Sequence, residues 1–296
     1  MLLLTGATGL VGSTLLARLT ARREPVRCLV RDPRRLGPER VRVQISIGDL
    51  NDPRAYRNAL RGVRTVVHAA GTERDQPHAT IEEIDGLATW RLLQAAEQAG
   101  VEHLVLFSAL GATPHHRSRL HRAKALAERA VAQSGLRITT FAPSLIYAPG
   151  DRRLARLERL ALLPAVPLAG RGRARTQPIW AQDVADCVIA ALDGPGGVNR
   201  HARHELAGPE VLSHREVVEL ALRAAARPRP LVPVPRLLLR PLLRGYETMT
   251  GPAALATWDE AERLTVSMLA ARGTADAVAL GVAPAAMGGV LGLEPS

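Results

Sequence analysis

The chain has 296 residues, of which 47% are hydrophobic and 23% charged, and it carries a formal net charge of +11. Those values fit a folded protein with a substantial core and exclude disorder, collagen-like repeats and coiled coil as descriptions of the whole. Only Lys124 among the 39 basic residues is a lysine; the charge therefore reads as an arginine bias, and with 3% aromatics and no binding motif it predicts no nucleic-acid partner.

In chain order, Met1–Thr5 is a buried-strand candidate, and a helix over Gly12–Arg23 places Leu15, Leu16 and Leu19 at helical spacing. Val26–Val30 and Val41–Ile47 are the next strands, the second running into Gly48-Asp49-Leu50. Asp52-Pro53 reads as an N-cap with proline at the first helical position, the helix reaching about Leu60. Thr65–Ala70 is a strand closed by Gly71, and Thr80 and Glu83 have the spacing of a capping box that opens a long helix ending at Gly100. A strand at His103–Phe107, a helix at Leu120–Ser134 and a strand at Arg137–Phe141 complete the alternation. Such alternation predicts an α/β fold, a doubly wound parallel sheet of Rossmann type over residues 1–150.

After Pro149-Gly150 prolines and arginines become denser and strands sparser. Residues 151–296 are expected to form a small C-terminal substrate-pocket region folded onto the core. It contains a helix at Trp180–Leu192 capped by Asp183, a late strand at His204–Ala207, and a capping box at Ser213–Glu216 before the helix Glu216–Ala226. Pro228–Pro235 is extended; Pro235–Arg244 mixes leucines with arginines, is interrupted by Pro241, and is a candidate for peripheral contact with a membrane. Cys28 and Cys187 lack metal or disulfide spacing and read as buried thiols. No leader pattern and no run of about 20 apolar residues is visible, so the expectation is a cytoplasmic protein in a reducing compartment with no transmembrane segment and no metal.

The strongest motif is Thr5-Gly6-Ala7-Thr8-Gly9-Leu10-Val11-Gly12, placed between a strand and a helix. Gly6 permits a tight turn, Gly9 lets backbone approach a pyrophosphate, and Gly12 lets helix pack on strand. Thr8, Leu10 and Val11 join them as cofactor-binding candidates, because free amides at the helix start and the dipole favour phosphate. An acid about 20 residues beyond the glycines normally holds the ribose 2′-hydroxyl of NAD. Arg31 stands there, with Arg34 and Arg35 nearby; a guanidinium fork suits a 2′-phosphate and favours NADP(H) over NAD(H). Asp32 pointing into the pocket would restore NAD. Asp49 is either a partner of the adenine amine or a turn cap.

These residues resemble the short-chain dehydrogenase/reductase superfamily in its extended or atypical branch. The match is similar to the group holding the NADPH-binding accessory subunit of complex I and the NmrA-like proteins. It rests on the turn from Thr5, on Gly48-Asp49-Leu50, His68-Ala69-Ala70-Gly71, Ser108, Lys124, and Pro143-Ser144-Leu145-Ile146-Tyr147 through Asp151, continued by Gln177-Pro178-Ile179 and Asp183-Val184-Ala185. The resemblance implies that Leu50, Ala69, Ala70, Gly71, Lys124 and Pro143 line the cofactor and that Ser108 binds a substrate hydroxyl. Redox members carry Tyr-x-x-x-Lys, the tyrosine exchanging a proton and the lysine holding the nicotinamide ribose. Here Leu120 occupies the tyrosine position. His121, three residues from Lys124, and Tyr147 are the substitute candidates. Arg171, Arg173 and Arg175 are candidates for an anionic substrate. The implied function is an NADP(H)-dependent oxidoreductase or epimerase-type enzyme acting on a small carbonyl or alcohol. The alternative is a non-catalytic NADP(H)-binding sensor, assembly or structural protein acting through a protein partner.

Overall fold

Short apolar runs ended by glycine or polar residues build seven parallel strands. In the computed structural model, which describes residues 1–194, 201–251, 254 and 256–293, six of them are β1 (Leu2–Thr5), β2 (Val26–Val30), β3 (Gln44–Ile47), β4 (Thr65–His68), β5 (His103–Phe107) and β6 (Arg137–Pro143). The His201–Leu206 strand is the seventh, and the order across the sheet is His201–Leu206, β6, β5, β4, β1, β2, β3. The direction of winding reverses between β1 and β4, and the carboxyl ends on either side of such a reversal form the crevice where ligands bind.

Two apolar layers cover the sheet. Leu15, Leu16 and Leu19 of α1 (Leu10–Ala21) pack with Val184, Cys187 and Val188 of α6 (Ala181–Asp193) over Leu4, Val67, Val105 and Phe141. On the other face Tyr56 and Ala59 of α2 (Pro53–Ala59), Leu92 and Leu93 of α3 (Ala88–Gln98), and Ala127 and Val131 of α4 (Arg119–Ala132) pack over Leu3, Val66 and Leu104. Both cysteines are free and buried. Ala181–Asp193 and His201–Leu206 thus return to the core. The smaller region is built from α5 (Arg152–Leu160), α7 (His214–Ala224), α8 (Arg236–Thr250), α9 (Trp258–Arg263) and the parallel pair Val166–Ala169 with Leu231–Val234.

Several expected boundaries move for physical reasons. Residues 41–43 leave the third strand because a 3-10 turn over Pro33–Val41 precedes it, and Val41 is 80% exposed. The Thr80–Glu83 capping box forms, with Glu83 N donating to Thr80 Oγ1 at 3.2 Å and Thr80 N to Glu83 Oε2 at 2.7 Å. The helix it opens carries a π turn over Glu83–Leu87. Pro241 does not end its segment: α8 runs through it to Thr250, with the proline on the exposed side. Asp183 does not cap α6, since Trp180 holds the N-cap position; its Oδ2 accepts instead from Ala285 N at 2.9 Å. Among the described residues no helix is long and apolar enough to cross a membrane.

Candidate functional site

The glycine turn lies at the carboxyl end of β1. Gly6 has φ +73°, and a Cβ there would lie 2.4 Å from Ala70 N and 2.6 Å from Ala69 O. A Cβ at Gly12 would meet Gly6 O at 2.1 Å. Only glycine satisfies either position, so the turn is pressed against the turn after β4. Gly9 caps α1 without any side-chain hydrogen bond, which leaves the first-turn amides of Leu10 and Val11 to an external acceptor. Thr8 is half-buried within this turn. The arrangement fits a dinucleotide pyrophosphate.

At the ends of β2 and β3, Arg31 is 63% exposed at its side chain and its Nη1 lies 3.8 Å from Asp49 Oδ2. Asp32 is committed elsewhere: its Oδ1 accepts from Arg34 N at 2.9 Å as the cap of the 3-10 turn. Arg34 and Arg35 are exposed beside Arg31. Asp49 Oδ1 accepts from Asn51 N at 2.8 Å, which makes it a turn cap, with its second oxygen toward Arg31. The Leu50 carbonyl accepts from the Tyr56 hydroxyl. Pro143 ends β6, and its carbonyl accepts from Leu110 N at 3.2 Å.

The centre of the site holds a charged pair that the spacing of motifs does not reveal. Lys124 Nζ lies 2.7 Å from Asp85 Oδ1, with the lysine side chain 10% exposed and the aspartate 0%. The same ammonium donates to the Phe107 carbonyl at 2.8 Å, and Asp85 Oδ2 accepts from Thr72 N at 2.9 Å. A Cβ on Gly71 would sit 2.6 Å from Asp85 Oδ1 and 3.3 Å from Lys124 Nζ, so the turn after β4 lies directly against the pair. The ammonium thus makes one hydrogen bond, to the Phe107 carbonyl, and one ion pair, with Asp85, and retains donor capacity for a further acceptor. Behind the pair, His68 bridges Thr5 Oγ1 at 2.7 Å and Thr89 Oγ1 at 3.0 Å, and Thr89 donates to the Asp85 carbonyl at 2.9 Å. Burial, then the charge of Lys124, pushes the His68 imidazole down to about 3.

Ser108 follows β5 immediately after the carbonyl that Lys124 grips. It is 5% exposed, and its hydroxyl oxygen has no partner among the described residues. His121 is not the surface residue that a proton donor on the open face of α4 would be. It is 0% exposed and stacked on His116 with ring centroids 4.2 Å apart. Burial, His116 and Arg263 push it down to about 4, so it is neutral at pH 7. Tyr147 stands inside an apolar cluster with Leu110, Leu154 and Met268, not at an open mouth. Burial raises its hydroxyl above the ordinary phenol range, and that hydroxyl makes no hydrogen bond among the described residues. Arg171 and Arg173 line a surface depression with Ser213, Arg215 and Pro233; Arg175 does not join them.

Comparison with known proteins agrees with this geometry. A family model described as NAD(P)H-binding matches residues 6–195. An NAD(P)H azoreductase of Xenophilus azovorans is 30% identical over 235 residues, covering 77% of this chain and 75% of that protein. The mitochondrial NADH dehydrogenase (ubiquinone) 1 alpha subcomplex subunit 9 of Arabidopsis thaliana is 30% identical over 227 residues, covering 73% of this chain and 55% of that protein. Among solved structures, the Thermus thermophilus UDP-glucose 4-epimerase complex with NAD aligns with a TM-score of 0.72 at 20% identity, over 98% of this chain and 96% of that one. That last likeness is one of fold.

Proposed function

We propose that this chain, which belongs to the NAD(P)H-binding family of Rossmann-fold proteins, holds NADP(H) along the carboxyl edge of its sheet and reduces a small carbonyl-like substrate. The observation that carries this reading is the buried, unpartnered Ser108 hydroxyl beside the Lys124–Asp85 pair. A buried hydroxyl without a partner is costly unless a ligand completes it. The nicotinamide, when bound, supplies the hydride. Ser108 donates its hydroxyl proton in a hydrogen bond to the substrate oxygen and so fixes its orientation. Lys124, held by Asp85 and the Phe107 carbonyl, offers a further donor to the ribose. Leu120 donates nothing, so the proton that completes reduction comes from water entering the cleft. Arg31 is the proposed reader of a 2′-phosphate, supported by the engagement of Asp32 as a cap, with Arg35 as its neighbour.

Two substitutions separate the halves of this reading. Arg31→Ala is expected to weaken NADPH binding by about tenfold, and NADH binding little, in a fluorescence titration. Ser108→Ala is expected to leave NADPH affinity unchanged while slowing NADPH oxidation by an azo dye, quinone or aldehyde roughly 100-fold. Equal effects of Arg31→Ala on the two cofactors would remove the NADP(H) preference. NADPH binding without oxidation by any of these acceptors would favour the second reading, a non-catalytic NADP(H)-binding protein acting through a partner, which Leu120 at the tyrosine position supports.

A membrane surface is the proposed setting of α8. Leu239 and Leu243 of this helix face Trp258 and Ala261, and Arg236 and Arg240 lie over the Trp258 ring at 5.9 and 5.8 Å. The opposite side is apolar and exposed: Leu237 at 89%, Leu238, Leu242 and Met249 at 87%. Arginines beside such a face match an anionic lipid surface. Co-sedimentation with phosphatidylglycerol-containing vesicles, lost with phosphatidylcholine alone and in Leu237→Glu/Leu242→Glu, is the expected result. Concentration-dependent dimerisation without vesicle binding would assign the face to a second copy.

A further inference from the structure

We propose that a cationic cluster between the turn after β4 and helices α5 and α9 is the receptor for a phosphate ester on the substrate. This assignment extends the reductase reading to a substrate class. Its members are Glu73 and Arg74 from the turn, Arg153 and Arg156 from α5, and Glu260 and Arg263 from α9. Arg153 and Arg263 both contact Glu73, at 2.9 and 2.7 Å; Arg74 and Arg156 both contact Glu260, at 2.9 and 3.0 Å. Four guanidinium groups therefore share two carboxylates.

The surplus is enclosed. The side chains of Arg263 and Glu260 are 10% and 9% exposed, and those of Arg74 and Arg153 are 20% and 25%. Charge in such surroundings is expensive unless it is matched. Arg153 Nη1 and Arg263 Nε are buried and make no hydrogen bond among the described residues. Asp75, Glu82 and Asp259 are drawn to Arg119 and Glu262 to Arg236, and among the described residues none of these four acids forms an ion pair with Arg74, Arg153, Arg156 or Arg263. The field of the excess reaches outward. Burial and the charges of Arg153 and Arg263 push His214 down to about 4.

The cluster also has an opening and a position. The Glu73 side chain remains 44% exposed, so solvent reaches the point where Arg153 and Arg263 converge. Glu73 is two residues beyond Gly71, a chain reach of roughly 7 Å, and Gly71 abuts Lys124. An anion held here would lie beside the nicotinamide end of the proposed cofactor site. A phosphate monoester carries a charge of about −1.5 to −2 near pH 7, which matches a surplus of two; a carboxylate would leave one charge unmatched. Arginine forks suit the oxygens of a phosphate through paired hydrogen bonds.

The test uses the full chain saturated with NADPH, so that the dinucleotide phosphate positions are filled, and titrates inorganic phosphate calorimetrically. One phosphate per chain is expected, with acetate at least tenfold weaker. Arg153→Gln/Arg156→Gln should weaken phosphate at least tenfold, and Arg171→Gln should leave it unchanged. Glu73→Gln removes the internal competitor and should tighten phosphate several-fold. If the double variant fails to fold, Glu73→Gln decides alone: tighter binding supports the site, unchanged or weaker binding overturns it. No phosphate binding, binding indifferent to the arginine substitutions, or acetate equal to phosphate would each overturn the assignment. The titration needs no turnover, so phosphate bound to a protein that oxidises no NADPH would defeat the reductase reading and leave this site standing.

Discussion

Asp85→Ala is expected to destabilise the fold by about 3–5 kcal/mol, the range for breaking a buried ion pair by removing one partner. The loss exceeds that of a surface pair because nothing replaces the carboxylate. Asp85 is 0% exposed, Lys124 keeps only the Phe107 carbonyl, and the Thr72 amide loses its acceptor. For a domain of this size the melting temperature should fall by roughly 10 °C. Lys124→Met should cost a similar amount by leaving the carboxylate unpaired. The double variant Asp85→Ala/Lys124→Met should cost much less than the sum, with a coupling of about 2–3 kcal/mol in denaturant unfolding. Additive costs would mean that the two groups do not act as a unit. NADPH affinity should fall with Lys124→Met, through the lost donor, and this readout distinguishes a cofactor contact from stability alone.

The Lys124–Asp85 pair also shows where the sequence was readable and where it was not. The glycine turn could be read because backbone sterics demand glycine at Gly6 and Gly12, whatever packs around them. Lys124 could be read because its motif position and rarity coincide. Asp85 was missed, although a signal existed: with Ile81, Ala88 and Leu92 it follows the 4-3-4 spacing of one helix face, and all four are buried. A carboxylate on an apolar stripe asks for a cation. The π turn at Glu83–Leu87 shifts the helical phase locally, a device invisible to a regular period. The burial of His121 could not be read for a related reason. Its helix is buried on more than one side, with His121, Lys124 and Ala125 all covered, so one polar stripe could not be drawn. The six arginine and glutamate residues of the proposed anion receptor come from three distant segments, and only tertiary folding shows that two carboxylates serve four guanidinium groups.

Acid should unfold this protein earlier than its arginine content suggests. His68, His103 and His121 are 1%, 2% and 0% exposed, and burial comes first in holding them down to about 3, about 4 and about 4. Each folded-state value lies below the ordinary 6.5, so the unfolded chain binds more protons as pH falls below 6.5. Stability is therefore lost from that point downward, levelling only near the folded values. Each histidine contributes at most about 1.4 kcal/mol per pH unit, so the three together approach 4 kcal/mol per unit. Asp183 and Asp259 act the other way, since burial raises both and their folded forms take protons first. The histidines dominate because their window opens at higher pH. Against a typical total of about 5–15 kcal/mol, melting temperatures should be level from pH 8 to 7, fall steeply below 6, and vanish between about pH 5 and 4. His103→Gln, which keeps a polar partner for Thr139, should flatten this slope by at most about 1.4 kcal/mol per pH unit. A melting temperature constant down to pH 5 would show that the buried imidazoles are hydrated or protonated in the folded protein, and would remove His68 as a neutral link between Thr5 and the Asp85 turn.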